Sequence, residues 1–329
     1  MGLIRKTFLA FSVVAAVALV AASRVGNRDR EALCGGVGYE SHSVRPGSPP
    51  YIELTADGVS GHFLLDYGAT RSSLSASVFA PSTDALKSVK LSLPGFAHGV
   101  FELKRYDLPM QAADRRVGVI GTDFLSLLTV QITESAVFLG EQPCQPATMR
   151  ARGFVPISQN HFFSSDPSAV DARLPNVPIV FLRLGATQVW AQIDTGYDDA
   201  IYPHSVDINQ ALYERLIKDG MRLRQVSRIT VSTCEGQETR PVYALMDNSL
   251  DNSLVVETDQ AQPIVRTGNF YLILKQANGC GGIGAMAEPA AQLGASFLRL
   301  FRAIVFDPKS KTVWLDVGWQ WPQFRMGRS

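Results

Sequence analysis

The sequence predicts a mainly β protein built from two similar halves. Three observations carry that prediction. An apolar run ends in Asp-x-Gly twice, at 63–68 and at 191–196. Each copy opens at a proline sixteen residues before its aspartate, Pro50 and Pro178. Each is followed at a distance by an apolar-Gly-x-x-Phe-Leu segment, 120–125 and 293–298, and then by one more β-rich run, 128–139 and 303–315. A duplicated unit that sets one carboxylate per copy on a tight glycine turn points to a site built between two lobes from two facing aspartates.

The N-terminus reads as an export element. Arg5 and Lys6 precede an apolar stretch over 8–22, and Ala21-Ala22-Ser23 offers small residues for cleavage. Two readings stand: a cleaved signal, or a membrane anchor retained over residues 8–23. The apolar stretch is shorter than the roughly 20 residues of a spanning helix. Either way the body of the protein is exported, to a periplasmic or extracellular space. Four cysteines fit such an oxidising compartment. Cys34 and Cys144 bracket the first copy and Cys234 and Cys280 lie in the second, so pairing within each copy is the simplest connectivity. With no Cys-x-x-Cys and five scattered histidines, the sequence offers no metal site.

Within the first copy, Tyr51-Ile-Glu-Leu-Thr, an Asp57-Gly58 turn and His62-Phe-Leu-Leu form a hairpin. Residues 89–93 and 99–103 flank Pro94-Gly95 as a second hairpin, whose tip carries Phe96. In the second copy, 179–184, a turn at Gly185 and 189–193 repeat the first plan, and 227–232, 241–246 and 270–275 are strand-like. Helical periodicity is weak throughout; Asn209–Lys218 and Met286–Leu293 are the best candidates. Residues 153–176 are rich in Ser, Pro and Asn and read as the connection. The division is therefore 1–23 as signal or anchor, 34–150 and 178–320 as the two lobes, 151–177 as linker and 321–329 as tail.

Composition narrows the partners. A formal charge of +1, with no polybasic block, gives nothing to recruit nucleic acid. The run 279–284 contains Gly-x-Gly-x-x-Gly, with Asp307 ending a later apolar run. As a dinucleotide fingerprint it fails on context: spacer residues separate the preceding strand from the glycines, and Pro289 falls where the helix should continue. No Gly-x-Ser-x-Gly elbow is present.

The chemistry of paired Asp-x-Gly turns is specific. Two carboxylates within hydrogen-bond range cannot both ionise cheaply, so they share a proton. The ionised partner can take a proton from water while the protonated one polarises a carbonyl, which is hydrolysis without metal or covalent intermediate.

These residues resemble the aspartic proteases, both the two-lobed pepsin-like enzymes and the retropepsin-like family. Asp194-Thr195-Gly196-Tyr197-Asp198-Asp199 is similar to the retroviral form of the motif, and 118–125 to the segment that crosses beneath it. The resemblance implies a two-lobed aspartic-protease-like (acid protease) fold, duplicated β-barrel lobes with an active-site cleft between them. It implies Asp66 and Asp194 as the catalytic pair, supported by Tyr67, Gly68, Thr195 and Gly196, with Asp198 and Phe96 at the substrate. It further implies an aspartic-type endopeptidase, monomeric and cofactor-free, that acts on an extended peptide or protein substrate.

One residue departs from the pattern. Tyr67 stands where the family has Thr or Ser, whose hydroxyl locks the two turns together. A Tyr67 side chain filling the space at the dyad predicts a protein that binds peptides or protein termini without cutting them. One turned into the core leaves the water site open. Asp123 is expected to bond within its own half, and Trp190, Trp314, Trp319 and Trp321 to pack in core and rim.

Overall fold

The computed structural model of the chain describes residues 31–42, 48–75, 86–93, 99–106, 116–158, 177–198, 202, 205–233, 236–246, 253–258, 263–267, 270–277 and 282–316. The protein is mainly β, and the sequence repeat reappears as a repeat of strand pairing.

After a short strand β1 (Val37–Glu40), β2 (Tyr51–Ala56) and β3 (Val59–Leu65) form the first hairpin. Its turn places Asp57 at φ 48° and Gly58 at φ 82°, the left-handed pair that suits strands of right-handed twist. Alternate residues Ile52, Leu54 and Ala56 are buried. Strands β4 (Ser73–Ser75), β5 (Leu86–Ser92), β6 (Gly99–Tyr106) and β7 (Arg116–Ile120) close this unit into a barrel of order β2-β3-β7-β4-β6-β5. The expected pairing of residues 89–93 with 99–103 is the β5–β6 hairpin. Its tip, with Phe96, lies outside the described residues.

A single helical turn α1 (Thr122–Leu125) leads to the hairpin β8 (Thr129–Thr133) and β9 (Ala136–Gly140). Helix α2 (Pro146–Ala151) and strand β10 (Phe154–Ser158) follow. The disulfide expected between Cys34 and Cys144 is present, and it ties the start of the described chain to the segment after β9. Cys234 and Cys280 lie outside the described residues.

The second unit begins with the hairpin β11 (Ile179–Leu184) and β12 (Thr187–Ile193), then β13 (Ser205–Ile208) and helix α3 (Gln210–Lys218). Asn209 caps that helix, its Oδ1 accepting from Leu212 N at 2.9 Å. Strands β14 (Leu223–Thr233), β15 (Gly236–Leu245), β16 (Leu254–Glu257), β17 (Pro263–Thr267), β18 (Tyr271–Leu274) and β19 (Ala291–Leu293) complete it. The order is β14-β15-β18-β13-β19-β12-β11-β16-β17, so hairpins extend this sheet at both ends where the first unit curls closed.

The second candidate helix, Met286–Leu293, does not form. Asn209 Nδ2 donates to the carbonyls of Met286 and Glu288 at 3.1 and 2.7 Å, and Ala290 N donates to Asn209 Oδ1. Those bonds hold the approach to β19 extended, and Pro289 could not have donated within a helix.

The pairing around each Asp-x-Gly is the same. In the first unit β3 runs parallel to β7, which is antiparallel to β4, itself parallel to β6. In the second, β12 runs parallel to β19, antiparallel to β13, itself parallel to β18. The matched prolines have a shared role: Leu65 N donates to Pro50 O and Ile193 N to Pro178 O, both at 2.9 Å. Finally β20 (Ala303–Asp307) and β21 (Thr312–Asp316) join the earlier hairpin in a six-stranded sheet of order β1-β9-β8-β20-β21-β10. The β-rich run closing each unit thus pairs with its counterpart, Ile304 opposite Ile132. One apolar core is continuous through all three sheets, from Ile52 and Phe63 to Ile193, Leu293 and Phe306. No described helix is long and apolar enough to cross a membrane, and residues 1–30, with the export element, lie outside the described residues.

Candidate active site

Asp66 and Asp194 each follow the last residue of a buried strand, β3 and β12. The crossing strand beneath each turn holds it from both sides. Asp66 N donates to Ile120 O at 2.9 Å and Thr122 N to Ala69 O at 2.8 Å. In the second unit Asp194 N donates to Leu293 O at 2.8 Å and Ala295 N to Tyr197 O at 2.9 Å. Gly121, which follows the first crossing strand, is needed for this: a Cβ there would lie 2.7 Å from the Arg71 carbonyl carbon.

The two turns meet face to face. The Asp194 carboxylate sits against Gly68, where a Cβ would fall 2.3 Å from its Cγ. The Asp66 carboxylate sits against Gly196, where a Cβ would fall 2.3 Å from its Oδ2. The glycine of each motif is therefore the space occupied by the other motif's aspartate. Asp66 Oδ1 accepts from the amides of Gly68 and Ala69 at 2.7 and 3.1 Å, and Asp194 Oδ1 accepts from Gly196 N at 3.0 Å. The two carboxyl groups hydrogen-bond to each other.

Thr195 makes the bond across the pair. Its hydroxyl, fully buried, accepts from Tyr67 N at 2.9 Å and donates to Leu65 O at 2.6 Å. Tyr67 makes no reciprocal bond. Its ring is turned into the core and stacks on Phe306 with centroids 3.7 Å apart, while its hydroxyl is buried and has no hydrogen-bond partner among the described residues. Of the two orientations weighed for Tyr67, this is the one that leaves the space at the carboxylates open.

Burial pushes the pKa of both aspartates above the usual carboxylate range, since desolvation penalises the charged form. Asp66 rises furthest, because the charge of Asp194 acts in the same direction as burial. For Asp194 the Lys275 ammonium and the amides of Gly196 and Tyr197 offset part of the rise. Two carboxyls so placed hold a proton between them more tightly than an isolated carboxylate does, and the ammonium and amides beside Asp194 favour its ionised form.

The side chains that meet Asp194 from the crossing strand were not singled out by sequence reasoning. Gln292 Nε2 donates to Asp194 Oδ2 at 2.8 Å. Gln292 Oε1 accepts from Gln192 Nε2 at 2.6 Å and from Lys275 Nζ at 3.4 Å. A signal did exist. Gln192 and Gln292 interrupt otherwise apolar runs at the places where the first copy has Leu64 and Val119.

Asp198 lies exposed just beyond the second turn, and Phe96, Asp199 and His204 lie outside the described residues. Asp123 bonds within its own unit, accepting from Ser72 N at 2.9 Å and Ser72 Oγ at 2.7 Å, while Ser72 Oγ accepts from Gly121 N. Trp314 is buried in the core; Trp319 and Trp321 lie outside the described residues. Of the glycine run, Gly284 serves close packing, since a Cβ there would meet Gln276 O at 2.4 Å. Asp307 accepts from Cys144 N at 2.8 Å and from Ser310 N at 3.2 Å, roles within the fold rather than on a ribose. No protein-family model matches the chain, and no curated protein matches it.

Proposed function

We propose that the protein is an exported, two-lobed aspartic-type endopeptidase. In this reading the barrel and the nine-stranded sheet are the two lobes, and a peptide lies extended in the cleft above Asp66 and Asp194. The observation that carries it is the reciprocal seating of each carboxylate on the other motif's glycine, with one hydrogen bond between them. Buried structural aspartates are normally paired with cations or backbone amides, and two carboxyls set against each other are an expense that a fold alone does not require.

The chemistry follows from the proton inventory. Asp194, ionised, takes a proton from a water as its oxygen attacks the scissile carbonyl carbon. Asp66, protonated, donates to the carbonyl oxygen and stabilises the charge that develops there. Collapse of the tetrahedral intermediate breaks the C–N bond. Asp194 returns its proton to the leaving nitrogen and the intermediate's hydroxyl returns one to Asp66, leaving a carboxylic acid and an amine.

Tyr67 in the dyad space would favour the alternative, a cleft that binds peptides without cutting them; its ring lies against Phe306 instead. The disulfide fits an oxidising compartment. The full chain should cleave members of a diverse peptide library at some pH from acidic to neutral, with cleavage lost in Asp194→Asn and blocked by a statine-type transition-state mimic. Absence of cleavage across that range, with the mimic still bound, would replace the protease by the binding protein.

A further inference from the structure

The two halves share backbone geometry but not the row of side chains beneath their aspartates. In the first unit Val119 of β7 lies between Leu64 of β3 and Ser73 of β4. At the same register in the second unit, Gln292 of β19 lies between Gln192 of β12 and Asp207 of β13. A glutamine that is 2% exposed must have its amide satisfied, and here each side is committed. Its oxygen faces two donors, the Gln192 amide and the Lys275 ammonium, so its NH₂ has to face Asp194.

The charged groups around this arrangement are few. Asp66 faces Asp194 from the first turn, and Lys275 approaches from the segment after β18. Asp207, beside Gln292 in register, is met by Arg240 of β15 at 3.1 Å, and Arg240 also binds Glu238 of β15. Arg240 is thus shared between two carboxylates, and Lys275 is the cation among these groups that acts on Asp194.

We propose that Gln292, held by Gln192 and Lys275, is a positioning residue that fixes Asp194 as the ionised, water-activating member of the pair and leaves Asp66 as the proton holder. The inference rests on the hydrolytic reading above and deepens it. A donor held against Oδ2 favours the charged carboxylate, and no equivalent donor reaches Asp66 from Val119. The neighbouring ammonium transmits its charge through the amide dipole to the same oxygen. The pair is therefore asymmetric before substrate arrives, and the two carboxylates are not interchangeable.

The test is the pH dependence of the full chain carrying ¹³C-labelled aspartate carboxyls, in wild type, Gln292→Met and Lys275→Gln. Gln292→Met keeps length and volume but removes the donor. Lys275→Gln removes the ammonium of a half-buried side chain, with its charge and its contact to Gln292 Oε1, and so remains informative if the first variant folds poorly. Loss of one hydrogen bond to a carboxylate should raise the Asp194 ionisation by about one pH unit in Gln292→Met, and by less in Lys275→Gln. The acidic limb of the kcat/KM profile should move with it, while Asp66 stays the last to ionise. An Asp194 titration unmoved in both variants, with cleavage intact, overturns this inference alone. A titration that moves as expected in a protein that cleaves nothing overturns the protease reading alone.

Discussion

Asp66 and Asp194 sit on turns that superimpose in logic and differ in surroundings. Both follow a strand parallel to a crossing strand, both accept from amides of their own turn, and both occupy the other's glycine. Among the described residues only Asp194 also meets a side-chain donor, Gln292, with Lys275 behind it. Only the second turn has the hydroxyl that crosses, Thr195, while the first has an aromatic ring buried against Phe306. The difference teaches that backbone topology places the carboxylates alike, whereas the side chains beneath and between them differ, and those side chains are where the proposed inequality of the pair resides.

The strongest way to break the comparison is to remove either carboxylate. Asp66→Asn and Asp194→Asn should each reduce cleavage by about 10³-fold or more, as expected when a general acid or base is lost. Circular dichroism and thermal melting should show both variants folded. Residual cleavage near the wild-type level in one of them would show that its carboxylate is not part of the reaction.

Making the turns alike is the next largest perturbation. Tyr67→Thr installs the missing hydroxyl but deletes a ring that is fully buried. The cavity should cost about 3–5 kcal/mol of stability, the range for large-to-small aromatic replacements in cores. Thr195→Val keeps the shape and removes the crossing bonds, leaving Tyr67 N and Leu65 O without the partner they have now. It should cost about 1–3 kcal/mol, the desolvation penalty of buried groups left unpaired. Denaturant unfolding distinguishes the two. If Tyr67→Thr were as stable as wild type, the ring would not be filling core space.

Stability should also depend on pH in a defined direction. The folded-state pKa of Asp66 lies well above its unfolded value, about 4, so the folded protein holds that proton more tightly than the unfolded chain. The favourable contribution is fully present below about pH 4 and is lost as pH rises through the folded-state value. Melting temperatures followed upward from acid should therefore decline less steeply in Asp66→Asn than in wild type. A wild-type curve that instead rises over the same interval, with the variant parallel to it, would contradict the raised pKa.

The smallest effect should come from Tyr67→Phe. The hydroxyl it removes has no partner among the described residues, so its loss should change stability by less than about 1 kcal/mol and leave cleavage unaltered. A large loss of activity would reveal a role for that hydroxyl at the dyad.

Much of this was legible in the sequence because it is written in backbone requirements. The Asp57-Gly58 turn, the two prolines, and glycines at 68, 121 and 196 each mark a place where only certain backbone or no Cβ can fit. The Cys34–Cys144 bond followed from bracketing a repeat. The failures are of a different kind. Met286–Leu293 looked helical because local pattern cannot show that Asn209, far away in sequence, takes its carbonyls. Gln192 and Gln292 are not singled out by the sequence, since their meaning depends on lying in register on adjacent strands beneath Asp194. The direction of the Tyr67 ring was undecided for the same reason, as Phe306 belongs to the other end of the chain.

The measurement that tests the central claim most directly is neutron diffraction from deuterium-exchanged crystals grown at the pH of greatest cleavage. The account predicts a single deuteron between the two carboxyl groups, carried by Asp66, with the Gln292 amide deuterons directed at Asp194 Oδ2. Carboxylates held apart, or a deuteron carried by Asp194 with Asp66 bare, would contradict it.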